Sequence, residues 1–369
     1  MKRKAGKRKA KMPETFAQNK KNILIAPLNW GLGHATRCIP IIRELQKNGF
    51  TPIIASDGNA LALLKKEFPI LVHLELPSYQ IEYSKKAENF KWKLIKNSPK
   101  TIHAILEEKK MTKKWVKEFD LCGIISDNRL GVYSKKIPSV FITHQLTVLS
   151  GKTTWISSKM HQFFIKNFTE CWVPDFDKNV NFSGKLGHLK DSSLNLKYIG
   201  ILSRLEKKEL PKKYDLMVLL SGPEPQRTIL EEKLIDEIES FDGNILFIKG
   251  KVEETQKMEQ KNKVTFCNFM TSTELETAFN ESETVLCRSG YTTIMDLVKL
   301  EKKAFFIPTP GQFEQEYLAK RLKKKGIIPF ANQDDFRIEK LQEIQLYSGF
   351  PKIIEEIHWK QLFILFDGK

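Results

Sequence analysis

From residue 22 the chain alternates short apolar runs with longer stretches whose apolar residues recur at helical spacing. Residues 22–27 (NILIAP) read as a strand, 28–33 as a glycine-containing loop, and the following residues to 48 as a helix that Gly49 ends. Residues 51–56 predict the next strand, 60–67 a helix and 70–74 another strand. A charged stretch, 84–119, has a mostly helical pattern, and 123–126, 138–143 and 170–173 are apolar runs of strand length. Short apolar strands separated by helices predict a parallel sheet covered on both faces.

The pattern loosens over 174–195, where Asp, Asn, Ser, Gly and Lys dominate, as expected near an interdomain linker. A second series follows. Strands are expected at 214–220, 244–249, 264–266, 284–287 and 304–307, with a loop and helix over 223–240. Further helices are expected at 272–280, 291–299 and 314–325, and helical segments near 335–346 and 351–366 close the chain. Two successive α/β units without sequence repetition predict two Rossmann-like domains, with a ligand site in the cleft between them. A length of 369 residues suits two such cores.

Composition narrows the classes. With 41% hydrophobic and 28% charged residues the chain reads as a water-soluble globular protein, and no apolar run approaches the roughly 20 residues of a membrane-spanning helix. The basic N-terminus lacks the apolar segment of a signal peptide. Cys38, Cys122, Cys171, Cys267 and Cys287 are scattered, odd in number and without metal-ligand spacing, which suggests thiols of a reducing, cytoplasmic compartment. The net charge of +17 is uneven: residues 1–21 hold nine Lys/Arg and one Glu. That polar tail is expected to be disordered. It suits peripheral contact with an anionic membrane at the inner face, contact with nucleic acid, or solubility alone. The body carries no zinc-finger, RNP-like or helix-turn-helix pattern, so nucleic acid is not the expected partner.

Four loops that follow predicted strands carry candidate chemistry. In Asn29-Trp30-Gly31-Leu32-Gly33-His34, glycine permits a sharp turn and close ligand approach, and a histidine beside a helix N-terminus is biased toward its neutral, basic form. The spacing departs from the dinucleotide fingerprint, because the third glycine position is Thr36. Such a base suits deprotonation of a hydroxyl; the alternative is a tight turn with a capping histidine. In residues 287–296 a helix opens after Arg288-Ser289-Gly290, and its backbone N–H groups with nearby hydroxyls and Arg288 suit a diphosphate. Thr292 and Asp296 share one helical stripe, where a carboxylate suits ribose hydroxyls; the alternative is a capped surface helix. Residues 307–316 and 221–227 are weaker candidates of the same kind. Asp175-Phe176-Asp177 has the form of a metal-binding pair, but acidic turn residues after Pro174 more commonly face solvent, and no metal is expected. His144 follows a strand and suits either acceptor contact or a structural role.

The order of these motifs resembles family 28 glycosyltransferases, over about residues 22–325 and most closely over 284–320. Residues 31–34 resemble that family's glycine-histidine loop, and 200–204 its interdomain segment ending in a phosphate-contacting arginine. Ser221, Gly222 and Arg227 lie in what resembles the loop opening its donor domain. Residues 288–296 resemble its nucleotide signature. The resemblance implies a GT-B fold of α/β class, with an N-terminal acceptor domain (22–195), a C-terminal nucleotide-sugar domain (196–350) and a final helix (351–369) returning toward the first domain. It implies a UDP-sugar donor, gripped by Gly31, Gly33, Arg204, Ser221, Gly222, Arg227, Arg288, Ser289, Gly290 and Thr292. Asp296 falls at the ribose position, Gln315 and Glu316 at the sugar, and Phe269 and Met270 against uracil. Pro223 and Pro225 stand where the family favours small residues, and Glu316 where its pattern has a second glutamine.

The resemblance further implies cofactor-free, metal-independent and inverting transfer to an unidentified acceptor, lipid-linked or glycan, in cell-envelope biosynthesis. His34 is the expected catalytic base, and Arg204, Arg227 and residues 288–290 are expected to meet the charge on departing UDP. Three alternatives remain open: a UDP-sugar hydrolase with water as acceptor, an epimerase, and a non-catalytic protein that binds UDP-sugar or nucleic acid.

Overall fold

The computed structural model describes residues 21–79, 90–177, 180–222 and 224–368, with 90–99 described by backbone alone. The expected basic tail falls almost wholly outside these residues.

The first unit follows the predicted alternation. It comprises β1 (Lys21–Pro27), α1 (Gly33–Lys47), β2 (Phe50–Ser56), α2 (Gly58–Glu67), β3 (Val72–Glu75), α3 (Phe90–Glu118) and β4 (Leu121–Asp127). Then come β5 (Ser139–Ile142), α4 (Thr154–Ile165), β6 (Glu170–Val173) and β7 (Leu196–Tyr198). The strands form one seven-stranded sheet in the order β3-β2-β1-β4-β5-β6-β7, every pairing parallel. Ile23, Leu24, Ile25 and Ala26 of β1 are wholly buried, as a strand covered on both faces requires. Each such aliphatic side chain removed from water contributes about 1.5–3 kcal/mol.

The second unit contains β8 (Tyr214–Leu219), α5 (Gln226–Glu237), β9 (Ile245–Ile248), β10 (Met258–Lys261), β11 (Val264–Cys267) and α6 (Ser272–Glu281). It continues through β12 (Ser282–Cys287), α7 (Tyr291–Lys299), β13 (Lys303–Phe306) and α8 (Phe313–Lys324). Its sheet runs β10-β11-β9-β8-β12-β13, parallel except for the β10–β11 pair. A last short helix, α9 (Trp359–Phe363), carries Phe363 onto the first unit, where it meets Phe50 and Trp172. Phe366 packs on the same two rings and covers Gly123 so closely that a side chain there has no room.

Three expectations need correction. The boundary expected at 195/196 is misplaced, because β7 pairs with β6 and the first sheet runs to Tyr198. Polar residues around a three-residue edge strand hid it. The closing segments are less helical than their pattern implied: 338–346 is a 3₁₀ helix, and 351–358 is irregular. Helix α4 and strand β10 had no counterpart among the expected elements.

Strand order reverses between β1 and β4 in one sheet and between β8 and β12 in the other. Loops leaving the carboxyl ends of strands on either side of such a reversal splay apart and leave a crevice. The loops at 28–33 and 288–290 follow β1 and β12, so both candidate motifs open onto a reversal point. Helices α1 and α7 also pack against each other.

Candidate active site

The loop after β1 is fixed before any ligand is considered. The Asn29 side chain accepts a hydrogen bond from the Ala60 N–H at 3.2 Å and donates to Asp57 at 3.2 Å, tying the loop to the start of α2. Gly31 has φ +72°, a conformation costly for any residue with a Cβ, and no atom crowds the space where a Cβ would stand. His34, in the first turn of α1, points its Nδ1 at Asp127 Oδ1, 2.7 Å away at the end of β4. Arg37, one turn along α1, makes two ionic hydrogen bonds to the same carboxylate. Its Nη2 also lies 2.9 Å from His34 Nδ1. Because Nη2 donates to Asp127, we assign the Nδ1 proton of His34 to the carboxylate, which leaves Nε2 with a free lone pair.

Electrostatics favour that assignment. Burial alone pushes the Asp127 carboxyl up, but Arg37 and His34 overturn this and hold it at about 2. Burial chiefly lowers His34 below its ordinary value and Arg37 lowers it further, against an upward pull from Asp127. The neutral base expected from the helix end therefore has burial as its main cause. About 14% of the His34 side chain still reaches solvent, enough for an incoming hydroxyl.

The network crosses to the second unit. Arg37 can only donate, so His144 Nδ1, 3.0 Å away, accepts, and its Nε2–H is left for Glu314 Oε1 at 2.7 Å. The Gln145 amide donates to the other oxygen of Glu314. His144 also stacks on Tyr291, with ring centres 4.3 Å apart, and the Tyr291 hydroxyl donates to the Pro174 carbonyl at 2.9 Å. Thr292 donates from its hydroxyl to the Gly33 carbonyl at 3.2 Å. Thus the N-terminal turns of α1, α7 and α8 converge, and the positive ends of their helix dipoles add in the cleft.

The expected donor residues divide into two groups. Gly290, the cap of α7, has only the Thr293 hydroxyl at 4.0 Å from where a Cβ would stand, and its neighbour Thr292 faces the first unit. Gly222, at φ +102°, lies beside the Thr309 hydroxyl, a buried group without a hydrogen-bond partner among the described residues. Ser221 stands with it, two residues after the end of β8. These positions remain open to a phosphate. Gln315 accepts the Thr309 N–H at 2.9 Å, and Glu316 accepts the Gly311 N–H at 3.0 Å, so each shapes the 307–312 loop.

Two arginines need correction. Arg288 is buried, with Nη1 donating to the carbonyls of Ile307 and Pro308, each at 3.1 Å. Its Nη2 donates to the Gln226 carbonyl at 2.9 Å and to the Gln333 side chain at 2.7 Å. That guanidinium braces the loops after β8, β12 and β13 and does not face a phosphate. Arg227 is likewise committed to Glu224, Glu231, the Lys249 carbonyl and Thr228. Ser289 also looks inward, donating to the Gln315 carbonyl at 2.9 Å.

Asp296 is buried and accepts from the Ser203 hydroxyl at 2.6 Å, next to Arg204. Burial raises its carboxyl to about 6 despite Arg204 and Ser203, which pull it down. Arg204 donates to the Ser272 hydroxyl at 3.0 Å and stands 4.0 Å from Glu67 at the end of α2. Glu67 in turn accepts the Ser272 N–H at 2.8 Å, so a carboxylate of the first unit caps α6 of the second. Phe269 and Met270 precede that helix, and the Lys66 ammonium lies 4.7 Å above the Phe269 ring. Asp175 of the D-x-D pair is enclosed: it accepts the N–H groups of Phe176, Phe182 and Ser183 at 2.8–3.1 Å. Among the described residues, no three His, Cys, Asp or Glu side chains gather as a metal site, and no helix is long and apolar enough to cross a membrane.

Asp127, Arg37 and Glu314 were not singled out from sequence. Asp127 carried a usable signal, as an acid directly after the apolar run 123–126; its pairing with His34, 93 positions away, depends on β1 and β4 being neighbours.

The arrangement of the two sheets agrees with comparisons to known proteins. The glycosyltransferase family 28 C-terminal domain matches residues 225–350. The chain is a glycosyltransferase of the GT-B fold, family 28-like in its C-terminal domain. A UDP-N-acetylglucosamine--N-acetylmuramyl-(pentapeptide) pyrophosphoryl-undecaprenol N-acetylglucosamine transferase of Buchnera aphidicola is 24% identical over 367 residues, covering 94% of this chain and 92% of the relative. The transferase of the same description from Haemophilus ducreyi is 22% identical over 321 residues, 85% of each chain. Among solved structures, Acinetobacter baumannii MurG superposes with a TM-score of 0.53 at 13% identity, covering 94% of this chain and 99% of its own. The spinosyn rhamnosyltransferase SpnG complexed with thymidine diphosphate gives 0.57 at 12% identity, covering 94% and 95%. At these identities the structures speak for the fold.

Proposed function

We propose that this glycosyltransferase moves a sugar from a UDP-sugar to a hydroxyl of a lipid-linked or glycan acceptor, without a metal and with inversion. His34 Nε2 takes the acceptor proton as the hydroxyl oxygen attacks the anomeric carbon. The bond from that carbon to the diphosphate breaks, and UDP leaves with the electron pair. Asp127 holds the ring in the required tautomer and stabilises the imidazolium that forms. The growing charge on the diphosphate meets the N-terminus of α7 at Gly290, the open loop at Ser221–Gly222, and Arg204 if it turns from Glu67. The donor class is that named in the relatives' descriptions, and so is the lipid-linked acceptor.

The observation that carries this reading is the His34–Asp127 pair at one sheet's reversal point, set against the opening turn of α7 at the other. His34→Ala tests it. Turnover of the cognate UDP-sugar should fall about 10²–10⁴-fold, the range of a lost general base, while UDP affinity stays within about twofold. A collapse of UDP affinity makes His34 a donor ligand instead. Turnover should survive EDTA, and NMR of the first product should show the inverted anomer.

A further inference from the structure

The last residue of α2 is an acid in an unfavourable place. A carboxylate at the carboxyl end of its own helix meets the negative pole of the dipole, yet Glu67 closes α2 there with only 7% of its side chain exposed. It leans on the second unit instead. Its Oε1 accepts the Ser272 N–H at 2.8 Å and the Ser272 hydroxyl at 2.5 Å, and its Oε2 accepts from Arg43 of α1 at 3.3 Å. Helix α6 does not need this cap, since Thr271 and Glu274 already form a capping box across its first turn. The other group gathered at Ser272 is Arg204.

Arg204 is held loosely for so enclosed a cation. Only 8% of its side chain reaches solvent. Its Nη1 donates to the Ser272 hydroxyl at 3.0 Å but stands 4.0 Å from Glu67 Oε1, well beyond the length of a charge-assisted hydrogen bond. Its Nε is buried and has no hydrogen-bond partner among the described residues. A guanidinium presents a rigid fork of N–H donors, and most of this fork is unused. The backbone beneath it is fixed: Ser203 donates to Asp296 of α7 at 2.6 Å and accepts the Leu205 N–H at 3.1 Å. The head of Arg204 can therefore swing while its base stays beside α7, whose opening turn at Gly290 is open to a phosphate. A diphosphate supplies the paired anionic acceptors that the fork lacks here.

We propose that Glu67 is a positioning residue that sets donor affinity through Arg204: it draws the guanidinium toward α6, and the diphosphate of the donor takes Arg204 from it. Glu67 keeps Ser272 and Arg43 after the exchange, so the first unit stays docked on α6 while the arginine changes partner. Carboxylate and diphosphate compete for one cation, and donor binding is weaker for it. Because the competing acid comes from the first unit, donor affinity depends on the docking of the two units and not on the nucleotide-binding unit alone. The inference rests on the UDP-sugar reading of the cleft.

The test is calorimetric titration of the full chain with UDP and, separately, with uridine, on wild type, Glu67→Gln, Arg204→Met and the double variant. Glutamine keeps an oxygen for the Ser272 N–H and removes only the charge. Cooperative melting confirms that each protein is folded, and Arg204→Gln replaces the methionine variant if that one does not fold. Glu67→Gln should bind UDP about five- to tenfold more tightly than wild type, with uridine affinity unchanged within about twofold because uridine carries no phosphate. In the Arg204→Met background the same substitution should move UDP affinity by less than about twofold, so the two sites couple. Unchanged or weaker UDP binding by Glu67→Gln overturns the proposal and leaves the donor site standing. A gain that persists without Arg204 also overturns it, since Arg43 and general charge then account for the effect. Equal tightening of uridine does so too, because the cleft has merely opened. If none of the four proteins takes up UDP, the donor reading itself fails and this inference goes with it.

Discussion

Replacing Asp127 by Asn separates orientation from mere bulk at the catalytic histidine. The buried carboxylate accepts from His34 Nδ1 at 2.7 Å and twice from the buried Arg37. An asparagine of the same shape loses the charge and places an N–H₂ group within reach of His34. If that group donates to Nδ1, the ring proton moves to Nε2 and no lone pair faces the acceptor. Loss of the corresponding carboxylate in a hydrolytic triad costs about 10⁴ in kcat, and a loss of about 10³–10⁴ is expected here. Stability should fall as well, because Arg37 is only 1% exposed and would keep its charge with no carboxylate left at position 127 to balance it. Breaking a buried pair in this way costs about 3–5 kcal/mol, a large share of a typical total of about 5–15 kcal/mol. The native Asp127 carboxyl lies at about 2 against its ordinary 3.8. That depression stabilises the fold by on the order of 2 kcal/mol, present above pH about 4 and lost as pH falls toward 2. Steady-state kinetics should be taken well below each melting temperature, beside thermal unfolding of wild type, Asp127→Asn, and Asp127→Asn with Arg37→Met. The double variant should melt higher than the single one, because the unpaired cation is gone, while its kcat stays low. Turnover by Asp127→Asn within about tenfold of wild type refutes the orienting role.

Arg288→Met should destabilise by about 3–5 kcal/mol, since it strands several buried acceptors, yet leave donor KM within about threefold in the folded protein. A donor KM raised tenfold at unchanged stability would return Arg288 to the phosphate. Asp296→Asn keeps the bond from Ser203 and removes a carboxyl raised by burial from 3.8 to about 6. A raised carboxyl costs stability above pH about 6 and ceases to do so as pH falls toward 4, so the variant should melt higher than wild type at pH 7.5, by at most about 3 kcal/mol, and match it near pH 4. The same variant should raise donor KM if Asp296 meets the ribose; an unchanged KM removes that role. Because burial lowers His34, the acid limb of kcat/KM should fall below the ordinary histidine range, and Asp127→Asn should abolish it.

Apart from β7 and the exposed, antiparallel β10, the strands of both sheets were legible in sequence because parallel strands are apolar on both faces, as residues 23–26 are. Helices α1, α7 and α8 were legible from apolar period and from Gly49 and Gly290 at their ends. Strand β7 was not, since three half-buried residues at a sheet edge carry no such run. Helix α4 was obscured because its apolar residues lie on the outside, against the usual periodic rule. Local motifs located the loops correctly but not the direction of their side chains. Arg288 sits beside a helix opening in sequence, yet its guanidinium turns into the core to satisfy the carbonyls of Gln226, Ile307 and Pro308. The His34–Asp127 pair and the bridge from His144 to Glu314 join residues 93 and 170 positions apart, and only the order of strands and the meeting of the two units makes them neighbours.

The most direct measurement is calorimetric titration of the folded protein with UDP and with a panel of UDP-sugars. One site per chain should take up UDP, with affinity retained in His34→Ala and weakened when Gly290 is replaced by a bulky residue. Folded protein that binds neither UDP nor any of its sugar conjugates would contradict a donor site at the opening turn of α7.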